Sequence, residues 1–173
     1  MLKSICFFLC LSWGAALGAQ TKVLALAGSS RTESLNKKLV QNAARVAREL
    51  GAEVRVIDLK EYPIPLYDGD LEASDGMPVN AKTIRRLMID SQVILIASPE
   101  YNASVSGLLK NVIDWASRSE EGGWSLEAFE GKRFALMSAS TGSRGGAKGL
   151  AHLRTILENV GGVVMSQQVA VPR

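Results

Sequence analysis

Two short, almost wholly apolar runs constrain the fold of this chain more than any other feature. They are Lys22–Ala27, with the sequence KVLALA, and Gln92–Ala97, with the sequence QVILIA. A strand exposed on one face alternates apolar and polar residues, whereas a strand covered on both faces is apolar throughout. Both runs therefore predict central strands of a sheet that carries helices on its two sides.

The flanking segments alternate between strand and helix patterns. Apolar residues recur at helical spacing over Leu35–Leu50, Asn80–Asp90, Leu108–Ala116 and Leu150–Val160. Three more strands are predicted at Glu53–Leu59, Arg133–Ser138 and Val163–Val171, and a Gly- and acid-rich loop at 68–76. Strands separated by helices imply a parallel sheet with right-handed crossovers. We therefore predict one α/β domain over residues 21–173, a three-layer sandwich around a five-stranded parallel sheet.

The first 20 residues differ from the rest of the chain. Lys3 precedes an apolar stretch over Ile5–Trp13, and small residues follow over Gly14–Ala19. This order is typical of a secretory signal peptide, and the apolar stretch is short for a stable membrane span. An uncleaved anchor, a wrongly assigned start codon and a buried N-terminal element are the alternatives. The predicted location is secreted or periplasmic with a true signal peptide, and cytoplasmic without one.

Composition and charge exclude several kinds of site. Cys6 and Cys10 both lie in the leader, and His152 is the single histidine, so no metal site built on Cys or His is expected. The net charge is +3, with no basic run and no basic-aromatic stripe. This balance argues against nucleic acid as a partner and suits an anionic small ligand.

Three loops are the places to look for a ligand. In open parallel sheets, ligands bind beyond the carboxyl ends of the strands, near the switch in strand order. The loops after the first, third and fourth predicted strands hold the least typical residue clusters of the chain, at 28–36, 98–107 and 139–146.

The loop at 28–36 has the chemistry of a phosphate site. It leads into a helix, whose N-terminus offers unpaired N–H donors and a partial positive charge. Hydroxyl, amide and guanidinium groups accompany it, on Ser29, Ser30, Arg31, Thr32, Ser34 and Asn36. The loop has neither the Gly-x-Gly-x-x-Gly of dinucleotide folds nor the Gly-Lys-Ser/Thr of nucleoside triphosphatases, so a terminal monophosphate is expected. A hydroxyl-rich helix cap is the alternative.

The loop after the third strand contains an unusual turn. Pro99 stiffens it, and Tyr101 supplies a flat amphipathic ring. Glu100 and Asn102 add polar groups within the same few residues. These residues fit a site for a planar heteroaromatic ring and an ordinary stiff polar turn equally well.

Three motifs follow one another along the chain: Gly28-Ser-x-Arg-x-x-Ser-x-Asn36, Pro99-Glu-Tyr-Asn102 with Ser104, and Lys110-Asn111-x-x-Asp114-Trp115. Their order and spacing resemble those of the NADPH-dependent FMN reductase family, which has a flavodoxin-like fold and includes chromate- and quinone-reducing flavoenzymes. The resemblance runs from about residue 22 to residue 171.

The resemblance implies FMN as the cofactor and NADPH or NADH as the co-substrate. It places the FMN phosphate in the first loop, on Ser29, Arg31, Ser34, Leu35 and Asn36. It places the isoalloxazine between the turn after the third strand and the loop after the fourth, on Pro99, Glu100, Tyr101, Asn102, Ser140, Thr141 and Gly142. The third motif is interpreted as subunit packing and loop support. Arg144 is interpreted as an ordinary solvated arginine, with contact to an NADPH phosphate as the alternative, and His152 as a surface or packing residue.

The implied function is the transfer of electrons from NAD(P)H to flavin, quinone or a similar small acceptor by ping-pong hydride transfer. No catalytic side chain is predicted, because the cofactor carries the chemistry. A homodimer or homotetramer is implied as well. The main alternative is a non-enzymatic flavodoxin-type electron carrier, but such carriers are usually strongly acidic. A redox-regulated binding protein and a catalytically poor secreted relative are further alternatives.

One departure from the family concerns its C-terminal end. Family members usually continue past the fifth strand into a final helix, whereas this sequence stops at Arg173. The resemblance therefore implies that one face of the sheet is exposed.

Overall fold

The computed structural model describes residues 19–172, and the predicted signal peptide lies outside them except for its last two residues. The strands are β1 (Lys22–Ala27), β2 (Glu53–Ile57), β3 (Val93–Ala97), β4 (Arg133–Ala139), β5 (Val163–Val164) and β6 (Val169–Val171). The helices are α1 (Leu35–Glu49), α2 (Gly69–Asp75), α3 (Val79–Ile89), α4 (Gly107–Ala116) and α5 (Ala147–Asn159), with a short 3₁₀ helix at Leu59–Glu61.

The sheet is parallel throughout and has the order β2-β1-β3-β4-β5. β5 pairs with the amino end of β4, and β6 pairs with the carboxyl end of the same strand. β1 and β3 lie side by side in the middle, where Leu24 is opposite Ile94 and Leu26 is opposite Ile96. These four side chains are almost completely buried because helices cover both faces. The predicted flavodoxin-like fold is thereby confirmed, and its switch in strand order lies between β1 and β3.

Helix α1 covers one face of the sheet, and α3, α4 and α5 cover the other. Alanines such as Ala43 and Ala44 face the sheet from α1 and allow it to pack closely against β1 to β4. On this face Leu95 and Met137 are no more than 2% exposed. The expectation of an exposed sheet face is therefore wrong for these central strands.

Two predicted elements differ in the structure. The single fifth strand predicted at Val163–Val171 is two short strands, because the guanidinium of Arg154 binds the main-chain carbonyls between them, including that of Met165 at 2.5 Å. The predicted loop at 68–76 contains α2. Asp68 caps this helix by accepting a hydrogen bond from the Asp70 N–H at 2.8 Å. The helix has no apolar stripe from which it could have been predicted.

Within residues 19–172, no helix has both the length and the apolar character needed to cross a bilayer.

Candidate functional site

The three loops singled out in the sequence meet at the carboxyl edge of the sheet and are linked by hydrogen bonds. The Gly28 N–H donates to the carbonyl of Ala97 at 2.9 Å, and the Ser106 hydroxyl donates to the carbonyl of Gly28 at 2.6 Å. A Cβ atom at Gly28 would lie 3.0 Å from the Cβ of Leu109, so a side chain there would require α4 to give way. These contacts hold the first loop against the second, the loop at 98–107.

The N-terminus of α1 offers hydrogen-bond donors. Its cap is Ser34, whose hydroxyl oxygen accepts from the Lys37 N–H at 3.4 Å, and no acidic residue lies in its first turn. The Ser29 hydroxyl oxygen accepts from the Arg31 N–H at 3.3 Å. Each hydroxyl therefore keeps its own hydrogen to donate, beside a helix end whose partial positive charge has no carboxylate in that turn to offset it.

Ser29, Arg31 and Ser34 are called the cradle below. Arg31 supplies its positively charged side chain. Its side chain is exposed and, within the described part of the chain, makes no hydrogen bond or ion pair. The two neighbouring lysines are engaged, since Lys37 pairs with Asp58 at 2.6 Å and Lys38 with Glu33 at 2.8 Å. Arg31, three residues before the cap of α1, thus has a bidentate donor group that no described residue occupies.

Asn36 connects the cradle to β4. Its side-chain amide donates to the carbonyl of Ala139 at 3.0 Å and accepts from the Ala139 N–H at 2.9 Å. The side chain is 4% exposed, so this pair of bonds is shielded from water. Asn36 therefore holds the first and third loops of the site together, and its main-chain N–H is the group it can turn to a ligand.

The segment 99–104, called the ring turn below, forms a tight hairpin. Two main-chain hydrogen bonds of 3.0 Å join Tyr101 and Ser104, and Asn102 and Ala103 have positive φ angles of 51° and 61°. These angles are those of a type I′ turn. Pro99 is buried beneath it, whereas the Tyr101 ring is 49% exposed. The turn thus presents an aromatic side chain that is about half exposed.

The side chain of Glu100 turns away from this surface toward α5. Its carboxylate accepts a hydrogen bond from the Gly149 N–H in the first turn of that helix, at 2.8 Å. The predicted contact of Glu100 with a cofactor would therefore come from its main chain.

The loop after β4 is held at its base and exposed at its tip. The Ser140 N–H donates to the carbonyl of Val171 at 3.1 Å, and its hydroxyl accepts from the Gly142 N–H at 3.2 Å. Thr141 and Gly142 are exposed at the tip. A cavity of about 450 Å³ separates this loop from α1 and has Leu35 and Ser140 in its wall.

The third motif, on α4, holds the segment at 65–67. The Asn111 side chain donates to the carbonyl of Pro65 at 2.9 Å and accepts from the Tyr67 N–H at 2.8 Å. The Trp115 indole N–H also donates to Pro65, at 2.9 Å, and its ring is completely buried. These contacts agree with the predicted loop-supporting role of the motif.

An ion pair continues this support. Glu72 accepts from the Arg118 guanidinium, with a closest contact of 2.9 Å, and from the Tyr67 hydroxyl at 3.0 Å. The hydrogen bond from Arg118 lowers the pKa of Glu72 below its ordinary value of 4.5, against the opposing effect of burial. The pair therefore stays charged in neutral solution and pins α2 to the end of α4.

Sequence reasoning missed two features of the site. One is Ser106, which caps α4 and binds Gly28; its position just before a helical stripe is the signal that could have identified it. The other is the close approach of Ser138 to Gly146, where a Cβ atom would lie 2.0 Å from the serine hydroxyl oxygen. Nothing in the sequence pattern announces this second contact.

Comparison with known proteins bears directly on the identity of the site. The sequence model of the NADPH-dependent FMN reductase family matches residues 21–173. The chain belongs to this family. It is 38% identical over 136 residues to an NAD(P)H-dependent FMN reductase of Pseudomonas aeruginosa, an alignment that covers 79% of this chain and 69% of that protein. It is 32% identical over 154 residues to a quinone reductase of Escherichia coli K12, covering 87% and 77%.

Two further relatives extend the comparison. A probable NADPH:quinone oxidoreductase of rice is 36% identical over 136 residues, or 78% of this chain and 63% of that protein, so the chain spans less than two thirds of its length. The structure of the flavoenzyme NAD(P)H:(acceptor) oxidoreductase FerB from Paracoccus denitrificans superposes with a TM-score of 0.72 at 32% identity, covering 85% of this chain and 76% of that one. The predicted family and an oxidoreductase activity that uses FMN and NAD(P)H are thereby confirmed.

Proposed function

We propose that this reductase passes electrons from NAD(P)H to a quinone or similar small acceptor in two separate half-reactions at one site. The observation that carries the proposal is the pairing of two features at one edge of the sheet. They are an anion cradle with an unpaired Arg31 and a half-exposed aromatic side chain at Tyr101. A monophosphate joined to a planar ring system matches this pairing.

The donor set fits FMN. The hydroxyl groups of Ser29 and Ser34, the free N–H groups at the start of α1 and the guanidinium of Arg31 would hold the phosphate. The main chain of the ring turn and the Tyr101 ring would border the isoalloxazine on one side. Ser140, Thr141 and Gly142 would border it on the other side.

FMN supplies the redox chemistry when bound, since it can take a hydride equivalent from NAD(P)H and pass two electrons to an acceptor. The residues of this chain bind and orient rather than exchange protons. Tyr101 is exposed, and the loop after β4 is open at Thr141, so a flat molecule has access to this edge. Donor and acceptor would use this access in turn, which is the basis of the proposed ping-pong order.

Steady-state kinetics of the FMN-loaded protein tests this order. Rates measured at several fixed quinone concentrations against NADPH are expected to give parallel double-reciprocal lines. Intersecting lines would refute a shared site used in turn. A flavodoxin-type carrier would instead bind FMN and show no NAD(P)H oxidation.

Substitution of Arg31 tests the cradle. A hydrogen bond to a charged group contributes about 1.5–3 kcal/mol, so Arg31→Ala is expected to weaken FMN binding about tenfold to a hundredfold. Arg55→Ala is the matched control, because Arg55 is an exposed arginine on β2 outside the three loops. Fluorescence titration of the FMN-free proteins measures both affinities, and equal affinities for the two variants would remove Arg31 from the site.

We further propose a homodimer or homotetramer. Three large apolar side chains are strongly exposed: Leu66 at 77%, Val79 at 75% and Trp124 at 69%. Arg86, on the helix that begins at Val79, pairs with Glu120 in the segment that carries Trp124. Light scattering coupled to size exclusion tests this proposal, and a monomer that persists at high concentration would contradict it.

Export through a signal peptide within residues 1–20 is also proposed. N-terminal sequencing of the protein from its native source tests it, and a mature chain that retains Met1 would contradict cleavage.

A further inference from the structure

We propose that Glu100 is a positioning residue that acts on the cofactor site through α5. Its carboxylate caps this helix and clamps the ring turn to it. His152 makes a second contact of the clamp. The inference rests on the proposed function in one respect only, namely that the ring turn borders the flavin.

The first step of the argument is the missing local cap of α5. The helix begins after Gly146, which has no side chain to accept a hydrogen bond from the first turn. The Glu100 carboxylate takes this role from a different loop, at 2.8 Å from the Gly149 nitrogen. A carboxylate at a helix N-terminus also interacts favourably with the helix dipole.

The second step is the tightness of the contact. A Cβ atom at Gly149 would lie 3.1 Å from the carbonyl oxygen of Ser104 and 3.2 Å from the Cβ of Glu100. The helix therefore packs directly against both ends of the hairpin. A side chain at position 149 would force the hairpin to give way, so this close approach depends on glycine.

The third step is a second polar contact on the same side of α5. His152 lies three residues after Gly149, so both face the same way on the helix. Its Nδ1 atom is 3.2 Å from the Ser104 hydroxyl oxygen. Since Ser104 is joined to Tyr101 by two main-chain hydrogen bonds, a contact that holds Ser104 also holds Tyr101.

These contacts give Glu100 a role that differs from that of a ligand. A ligand acts through its charge or its own contact with the cofactor, whereas a cap acts through the hydrogen bond it accepts. Glutamine keeps an acceptor oxygen in the same place and loses the charge, and alanine loses both. The two substitutions therefore separate the two roles.

The experiment compares Glu100→Gln, Glu100→Ala and the control Glu53→Ala, since Glu53 is exposed at the amino end of β2. Hydrogen exchange of the FMN-free protein measures protection of the Gly149 amide, and fluorescence titration measures FMN affinity. We expect Glu100→Ala to speed exchange at Gly149 and to weaken FMN binding, each about tenfold. We expect Glu100→Gln to stay within about threefold of the wild type in both.

Two results would overturn the clamp. One is unchanged exchange at Gly149 in Glu100→Ala, and the other is an equal loss of FMN affinity in the Gln and Ala variants. If Glu100→Ala does not fold, His152→Ala provides the second measurement, because His152 is exposed. It should weaken FMN binding about threefold, and the control Thr155→Ala on the same helix should not. A wild-type protein that takes up no FMN would refute the proposed function, and exchange at Gly149 would still decide on the clamp.

Discussion

Replacing Gly146 by alanine is the sharpest structural test of the site. Gly146 has φ +89° and lies at the start of α5, directly above Ser138. An added Cβ would be 2.0 Å from the Ser138 hydroxyl oxygen and 2.9 Å from its Cβ. Ser138 is completely buried, so its side chain has little room to move away.

Two costs combine in Gly146→Ala. The left-handed backbone costs an L-residue about 1–2 kcal/mol. Overpacking a well-packed interior costs about 1–3 kcal/mol more. We therefore expect the free energy of unfolding to fall by about 3 kcal/mol, a large share of the 5–15 kcal/mol that is usual for a domain.

Gly51→Ala is the matched control. Gly51 has φ +92°, and no atom lies within 4 Å of the position that its Cβ would take. It reports the backbone cost alone, about 1–2 kcal/mol. Urea denaturation of the FMN-free proteins measures both values, provided that the slope of the unfolding free energy against urea concentration is the same in each protein.

A double substitution completes the test. The Ser138 hydroxyl has no hydrogen-bond partner among the residues described, so Ser138→Ala alone should be neutral or stabilising by about 1 kcal/mol. In Gly146→Ala/Ser138→Ala the closest clash is gone. The double variant should therefore be about 1–2 kcal/mol more stable than the sum of the two single effects predicts. Equal destabilisation by Gly146→Ala and Gly51→Ala, or strict additivity with Ser138→Ala, would refute the packing argument.

Two other substitutions test the links around the site. Asn36→Ala leaves the main chain of Ala139 without its amide partner and should lower the free energy of unfolding by about 1–3 kcal/mol. Asn42→Ala, on the exposed side of the same helix, is the control and should have little effect. Equal urea midpoints for the two variants would contradict this expectation. The pKa of Glu72 is lowered, chiefly by its hydrogen bond with Arg118, so the pair stabilises the fold above the ordinary Glu pKa of 4.5 and this stabilisation is lost as the pH falls through the lowered pKa. On acidification, the melting temperature of Glu72→Gln should therefore fall less than that of the wild type. An equal fall of the two melting temperatures across that pH range would contradict a stabilising role of the Glu72–Arg118 pair.

Predictability from sequence differed between the core and the edges of the fold. The apolar runs of β1 and β3 were sufficient to place the central strands, because only a strand covered on both faces tolerates such a composition. The prediction of one strand over 163–171 was wrong. Arg154, on the preceding helix, donates hydrogen bonds to main-chain carbonyls there, and the local sequence pattern does not indicate such a contact. Helix α2 was missed since its acidic cap and first turn stabilise it without an apolar stripe.

The candidate site followed the same division. The cradle of Ser29, Arg31 and Ser34 and the turn at Tyr101 were recognisable as motifs, since each lies within a few consecutive residues and directly follows a buried strand. The side chains of Asn36 and Glu100 were assigned from their motifs to the cofactor. In the structure both bind the main chain of another loop or helix.

By itself, then, the sequence determined the parallel fold, the family and the loops that form the site, because periodicity and local motifs depend on neighbours along the chain. Only the tertiary structure decided which polar groups remain free for a ligand. It pairs Asn36 with Ala139 and Glu100 with Gly149, and it leaves Arg31 and Tyr101 open. The physical reason is that a hydrogen-bonding group is taken or free according to what lies opposite it in space, and those partners come from distant parts of the chain.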